Sequence, residues 1–305
     1  QISFNRNTLV ALSGTTAASI VGYGQWSDVV CVSEIGKPLY NFYGYVVEGV
    51  YESLEDIENS PKTAKHPSNG VYNRANTVWV GDLKYKDINE DGVIDTQDRT
   101  DIGSPLPHFT FGWNNTFRYK GFDLNIFLNG SYGNKVLNYS LMNGPSGGLA
   151  SMRSAWVNQN NDAIKDRAQL VPIDPDKVYE DGSMWYNDIT NVKVANSGTK
   201  TPRPTLNDPN DNDRLSTRYI EDGSYLRIKN LTLGYTFPKK WMQKAHFDNI
   251  RIYCNIQNLY TFTKYSGYDP EVGASTQDSS GYAYGVDNGR YPSPTTYSFG
   301  VSLTF

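Results

Sequence analysis

The chain lacks the features that mark most familiar classes. Its 305 residues contain no apolar run approaching the ~18 residues a membrane-crossing helix needs, and mean hydropathy is −0.56. That excludes a transmembrane helix but not a strand-crossing protein, whose strands are only half apolar. Cysteine is scarce: Cys31 and Cys254 make no disulfide framework, and Cys254, in phase with apolar neighbours, reads as a small hydrophobe. The three histidines, His66, His108 and His246, are scattered and fit no zinc spacing such as HExxH. Positive charge is not in excess, with 28 Lys and Arg against 32 Asp and Glu, net −4. Nucleic acid binding therefore has no electrostatic support. GxSxG, P-loop and GxGxxG motifs are absent, and no nucleophile–base pair stands out, so the expectation is a protein that is not an enzyme. No export signal precedes Gln1. Gln1 reads as lying inside an element, and the expectation is a C-terminal piece of a larger protein.

What the chain has is aromatic alternation. Residues 295–305 read TTYSFGVSLTF, with Tyr297, Phe299, Val301, Leu303 and Phe305 on one face and Ser298, Gly300, Ser302 and Thr304 on the other. The pattern recurs. Phe109, Phe111, Trp113, Phe117 and Tyr119 alternate with Thr110, Gly112, Asn114, Thr116 and Arg118. After a two-residue turn at Lys120–Gly121, Phe122, Leu124, Ile126, Leu128 and Tyr132 alternate with Asp123, Asn125, Asn129 and Ser131, with Phe127 out of phase. Ile250, Ile252, Cys254, Ile256, Tyr260 and Phe262 alternate with Arg251, Tyr253, Asn255, Gln257 and Thr261. Leu231, Leu233, Tyr235 and Phe237 continue the set, with a parity shift after Ile228 that predicts a β-bulge near Asn230. Greasy-out, hydrated-in strands of about 9–11 residues suit a tilted crossing of a bilayer, where a closed barrel pairs every backbone group. A soluble β-sandwich also alternates, but the aromatic fraction of 13% and the hydrated second face favour the barrel. The expected fold is all-β, a transmembrane antiparallel β-barrel.

Connections alternate in length. Asn5–Asn7, Lys120–Gly121 and the neighbourhood of Pro238 read as short turns, and Ile2 to Phe4 and Thr8 to Leu12 as flanking strands. Residues 13–77, 134–222 and 264–294 read as long outer loops, in line with short periplasmic and long extracellular connections. In the middle loop, NDPNDNDR (207–214) is either a set of solvated turns or part of a lid or docking surface.

DINEDGVIDTQD (87–98) has the spacing of a calcium loop. Asp87, Asn89 and Asp91 stand at positions 1, 3 and 5, Gly92 at the sharp turn, the Val93 carbonyl at 7, Asp95 at 9 and Asp98 at 12. The alternative is an acidic turn held by its own Asx contacts. Trp156, Trp185, Tyr186, Tyr282, Tyr284 and Tyr291 are loop aromatics that could stack on sugar rings, or could simply pack the loops.

Together these segments resemble the C-terminal part of the SusC/RagA family of TonB-dependent outer-membrane transporters of Bacteroidetes. The segments that carry the resemblance are EIGKPLYNFYGYVVEGVY (34–51), residues 81–134 from GDLKYKDINEDG onward, YIEDGSYLRIKNLTLGYTFP (219–238), IRIYCNIQNLYTFTKYSGYDPEV (250–272) and the terminal YSFGVSLTF. The resemblance implies the end of a barrel of about 22 strands, with plug and TonB box upstream of this chain. It implies outer-membrane import of oligosaccharides, or in some members peptides, captured with a SusD-like lipoprotein and driven through TonB. It also allows a dimer of transporter–lipoprotein pairs.

Overall fold

The computed structural model describes residues 1–12, 19–23, 29–143, 166–205, 207–242, 247–273 and 281–304. The alternating segments form a six-stranded antiparallel sheet in simple meander order: β1 (Ile2–Phe4), β2 (Phe109–Tyr119), β3 (Phe122–Tyr132), β4 (Tyr225–Thr236), β5 (Asn249–Thr263) and β6 (Thr296–Thr304). Its register lines the greasy residues up in rows. Phe117, Leu124, Leu233, Cys254 and Phe299 are successive cross-strand partners; so are Tyr119, Phe122, Tyr235, Ile252 and Val301. The opposite face carries Thr116, Asn125, Thr232, Asn255 and Ser298 in the same way. Because the side-chain period is two, this register puts every apolar set on one side. Phe127, out of phase in sequence, lies on the polar face, where its ring covers Gly112.

Lys120 and Gly121 both have positive φ, 48° and 88°, the geometry of a primed two-residue hairpin turn. A Cβ at Gly121 would meet the Thr236 carbonyl oxygen at 2.7 Å. The bulge in β4 falls on Lys229, since Ile228 and Asn230 pair with the adjacent Leu128 and Phe127. Opposite it, Asn258 of β5 has φ 51°.

The expected turn at Asn5–Asn7 and strand at Thr8–Leu12 do not form. Phe4 pairs with Phe109, so β1 ends at the long-loop end of the sheet. The following residues are held instead by the turn at 36–39: the Leu9 N–H donates to the Lys37 carbonyl, Gly36 N–H to the Leu9 carbonyl, and Leu39 N–H to Asn7 Oδ1. The whole span 5–108 thus joins the other two long connections at one end.

Those connections are more than solvated loops; they fold together into a crown. A four-stranded sheet combines Ser19–Tyr23, Val29–Glu34, Asn41–Gly44 and Thr100–Gly103. A three-stranded sheet joins two strands of the connection between β3 and β4, Lys135–Asn138 and Ile220–Asp222, to one of the connection between β5 and β6, Val286–Asp287. Helix α1 (Leu54–Glu58) starts on Ser53, whose hydroxyl accepts the Asp56 N–H. One buried cluster gathers Tyr51, Ile57, Val78, Trp79, Val80, Leu83, Tyr85 and Val192. A second gathers Val30, Phe42, Leu137, Tyr139, Tyr219 and Val286. Burial of these side chains, each contributing about 1.5–3 kcal/mol for a large apolar group, gives the crown its own core.

Candidate functional site

The apolar face of the six-stranded sheet is uncovered. Phe117, Phe122, Leu233, Ile252, Phe299, Val301 and Leu303 are all exposed. Aromatics concentrate at both ends of it. Phe4, Phe109 and Tyr132 touch at the crown end, as do Tyr260 and Phe262. Phe122, Tyr235, Phe237 and Trp241 form a chain of ring contacts at the turn end. An 11-residue strand tilted by roughly 40° covers a height of about 26 Å, the height of an apolar band between interfacial girdles. The polar face carries hydrogen-bonded rows: Asn125 Nδ2 donates to Asn114 Oδ1 and Thr116 Oγ1, both at 2.9 Å, and Thr232 Oγ1 donates to Asn255 Oδ1. Arg251 reaches Asp123 across Gly234 with two bonds of 3.0 and 2.6 Å.

In the crown, 207–214 is a set of turns that buries two polar residues, Asn210 and Asn212, while Asn207 and Asp211 stay exposed. Asn212, fully buried, accepts the Leu83 N–H at 2.7 Å and donates to Asp208 at 2.6 Å; Asn210 donates to the Leu83 carbonyl. Asn212 also faces Asp82, which is fully buried, accepts the Trp79 N–H, and sits 2.8 Å from Arg203 Nε. Tyr219 and Tyr85 donate their hydroxyls to the Asn212 and Asp211 carbonyls. Burial pushes both phenols well up, so they stay protonated donors. The Arg214 guanidinium lies over both the Tyr45 and Tyr85 rings, 4.9 and 4.7 Å from their centroids, which are themselves 5.6 Å apart. These buried Asn and Asp residues are the ones sequence reasoning missed. Their one signal, a dense Asn/Asp/Pro run, is also that of an exposed turn.

Beside these turns lies a cleft of about 710 Å³ lined by Tyr45, Asp95, Arg99, Met142, Asp208, Asp211, Asp213 and Arg214, among others. Its four aspartates outnumber its two arginines, and part of each guanidinium is used within the crown: Arg99 donates to the Val29 and Tyr43 carbonyls, and Arg214 to those of Asn210 and Asp211. The cleft therefore offers mainly acceptors, and suits ligands rich in hydroxyl or amine donors over anions.

The loop 87–98 is tied by its own side chains. Asp87 accepts the Glu90 and Gly92 N–H groups, Asn89 that of Asp91, Asp91 that of Val93, and Asp95 that of Gln97. Asp98, fully buried, accepts from Ile88 and Asp95. Val93 is exposed. Among the described residues no group of three or more His, Cys, Asp or Glu side chains gathers around a common point. Five of the six expected aromatics lie within the described residues. Trp185 packs on the first core and meets Tyr186 edge-on, with Arg74 over the Tyr186 ring. Tyr284 stacks on Tyr40 near the second core, Tyr282 is exposed, and Tyr291 is 85% exposed. Trp156 lies outside the described residues.

An uncovered aliphatic face between two aromatic girdles, a hydrated reverse face and short turns at one end define a piece of outer-membrane-type β-barrel wall. The sheet is open here, with β1 and β6 as its edges. No protein-family model matches the chain. It is 32% identical over 275 residues, 88% of its length, to TonB-dependent receptor P3 of Formosa agariphila, and 28% identical over 312 residues to receptor P26 of the same organism. It is 26% identical over 222 residues to TonB-dependent receptor SusC of Bacteroides thetaiotaomicron. It covers 22%, 26% and 17% of these relatives. Among solved structures it superposes on the RagAB peptide transporter (TM-score 0.60, 19% identity) and on the RagAB peptide importer in its open-open state (TM-score 0.57, 20% identity), covering 26% of each chain. These curated relatives are TonB-dependent receptors, SusC among them, and the chain corresponds to about a quarter or less of such a receptor.

Proposed function

We propose that the chain supplies part of the barrel wall and the outer crown of an outer-membrane importer that takes up oligosaccharides, captured with a SusD-like surface lipoprotein and driven through TonB. The observation that carries this reading is the set of apolar rows across β2 to β6, interrupted at Asn115 and Gly130, backed by polar rows and topped by a folded crown, in a chain related to named TonB-dependent receptors. The acceptor-rich cleft is consistent with sugar hydroxyls. Peptide import is the second reading, and it is favoured by the solved RagAB neighbours. On this reading the protein acts by binding and passage, without bond chemistry. Deleting the parent gene and growing cells on single glycans or on peptides as sole nutrient tests both. Loss of growth on a glycan alone supports the first reading; loss on peptides alone moves the assignment to the second; growth unchanged on all of them sinks import.

We propose further that Ca²⁺ binds 87–98. The spacing of oxygen donors supports it, as does the single hydrogen bond made by each carboxylate oxygen of Asp87 and Asp98, which leaves acceptor capacity on both.

A further inference from the structure

Two motifs singled out in the sequence, SYLRIKN (224–230) and YSGYDPEV (265–272), meet on the polar face of the sheet. Arg227 of β4 is only 2% exposed, yet it is charged. Its Nη2 donates to Asp269 Oδ1 at 2.5 Å, its Nη1 to Glu271 Oε2 at 2.8 Å, and its Nε to Thr261 Oγ1 of β5 at 2.8 Å. Asp269, also buried, accepts the Glu271 and Ser293 N–H groups and so gathers both arms of the last outer connection. Lys229, the bulged residue, lies 3.7 Å from Glu271.

The same strap, residues 264–272, has a second attachment, to the crown. Ser266 N–H and hydroxyl donate to the Glu221 carboxylate at 2.8 and 2.7 Å, and Asn138 donates to Ser266. The Tyr265 hydroxyl donates to Asp287 at 2.6 Å. Between the two attachments stands Tyr268, 73% exposed.

We infer that residues 264–272 form a two-point latch that ties the crown to the barrel wall, with Arg227 and Asp269 as its wall-side catch. The bonds described at that catch are ionic or polar. A buried ion pair stabilises little more than an apolar contact would, but breaking one partner is costly because the other charge is left stranded. Such a catch holds one geometry firmly and releases as a unit. The wall beneath it is already irregular, with the Lys229 bulge facing Asn258 at positive φ. Asn258 in turn bonds the end of the same connection, through the Pro294 carbonyl and the Thr295 hydroxyl.

Hydrogen–deuterium exchange of the full-length transporter in nanodiscs tests the latch. Arg227→Gln and Asp269→Asn should each speed exchange of 264–272 and of the Ser293 amide by at least about tenfold, with 78–85 in the crown core unchanged. Arg227→Lys, which keeps the charge, should show a smaller rise. Unchanged exchange in the strap would overturn the proposal. So would equal acceleration in 78–85, which would make Arg227 a general folding residue. Heat-modifiable migration on gels reports the barrel separately, so a failed barrel reading would not be mistaken for a failed latch.

Discussion

Single residues decide which face meets which medium. Val301 and Ser302 are neighbours in β6, but Val301 continues the apolar row through Ile252 and Ser302 faces Arg251 on the polar side. Val301→Arg should cost about 2–4 kcal/mol of folding into liposomes, and Ser302→Arg distinctly less; equal losses would overturn the facing. The crown has its own sensitive residues. Arg203→Met strands the buried Asp82 charge and should destabilise the crown by about 3–5 kcal/mol, read by denaturation followed through Trp79 fluorescence. Replacing Asp82 with Leu as well should recover only part of that loss, because the buried Trp79 N–H and Asn212 amide then lose their acceptor. Asp188 supplies a pH signature. Burial opposes its ionisation, but bonds from Lys177, Thr190 and Tyr179 outweigh it and hold the carboxyl at about 2. Its folded value lies below the unfolded value of about 3.9, so its contribution is complete above that pH and is lost as pH falls towards 2. Asp188→Asn should flatten the acid limb of crown stability; an unchanged limb would show that the bonds carry no stability.

Among elements, the long strands were legible in the sequence and the crown was not. Residues 109–132 alternate over eleven residues twice, and the expected turn at Lys120–Gly121 sits where it was read, because alternation and a Gly at positive φ are local signals. The crown strands are short, such as Val47–Val50 and Leu83–Tyr85, and gain stability only from distant partners. The Tyr45 amide, for example, donates to the Leu215 carbonyl. No local period encodes such pairs. Thr8–Leu12 has the composition of a strand but meets the 36–39 turn instead, and 207–214 forms the turns its composition suggests but buries Asn210 and Asn212 among them. Deleting 207–214 should therefore unfold the crown, measured as loss of protection at 78–85, rather than merely trim a surface. For 87–98, millimolar Ca²⁺ should slow local exchange, and Asp87→Ala with Asp91→Ala should abolish the slowing. Exchange indifferent to Ca²⁺ would leave the Asx contacts as the loop's whole support.

At the largest scale the chain pairs a sheet with an exposed apolar face and a crown with its own buried cores. On the proposed reading lipid surrounds the sheet, and its apolar rows face outward for that reason. The crown buries Trp79, Tyr85 and Tyr219 inward because water surrounds it. The central claim is that this division is real, and β6 tests it most directly. Spin labels placed singly at 297–304 of the full-length transporter in bilayers should show accessibility to oxygen with a period of two. Maxima should fall at 297, 299, 301 and 303, with the water-soluble relaxant reaching the even positions. A flat profile, or one with the relaxant favouring the odd positions, would contradict the account.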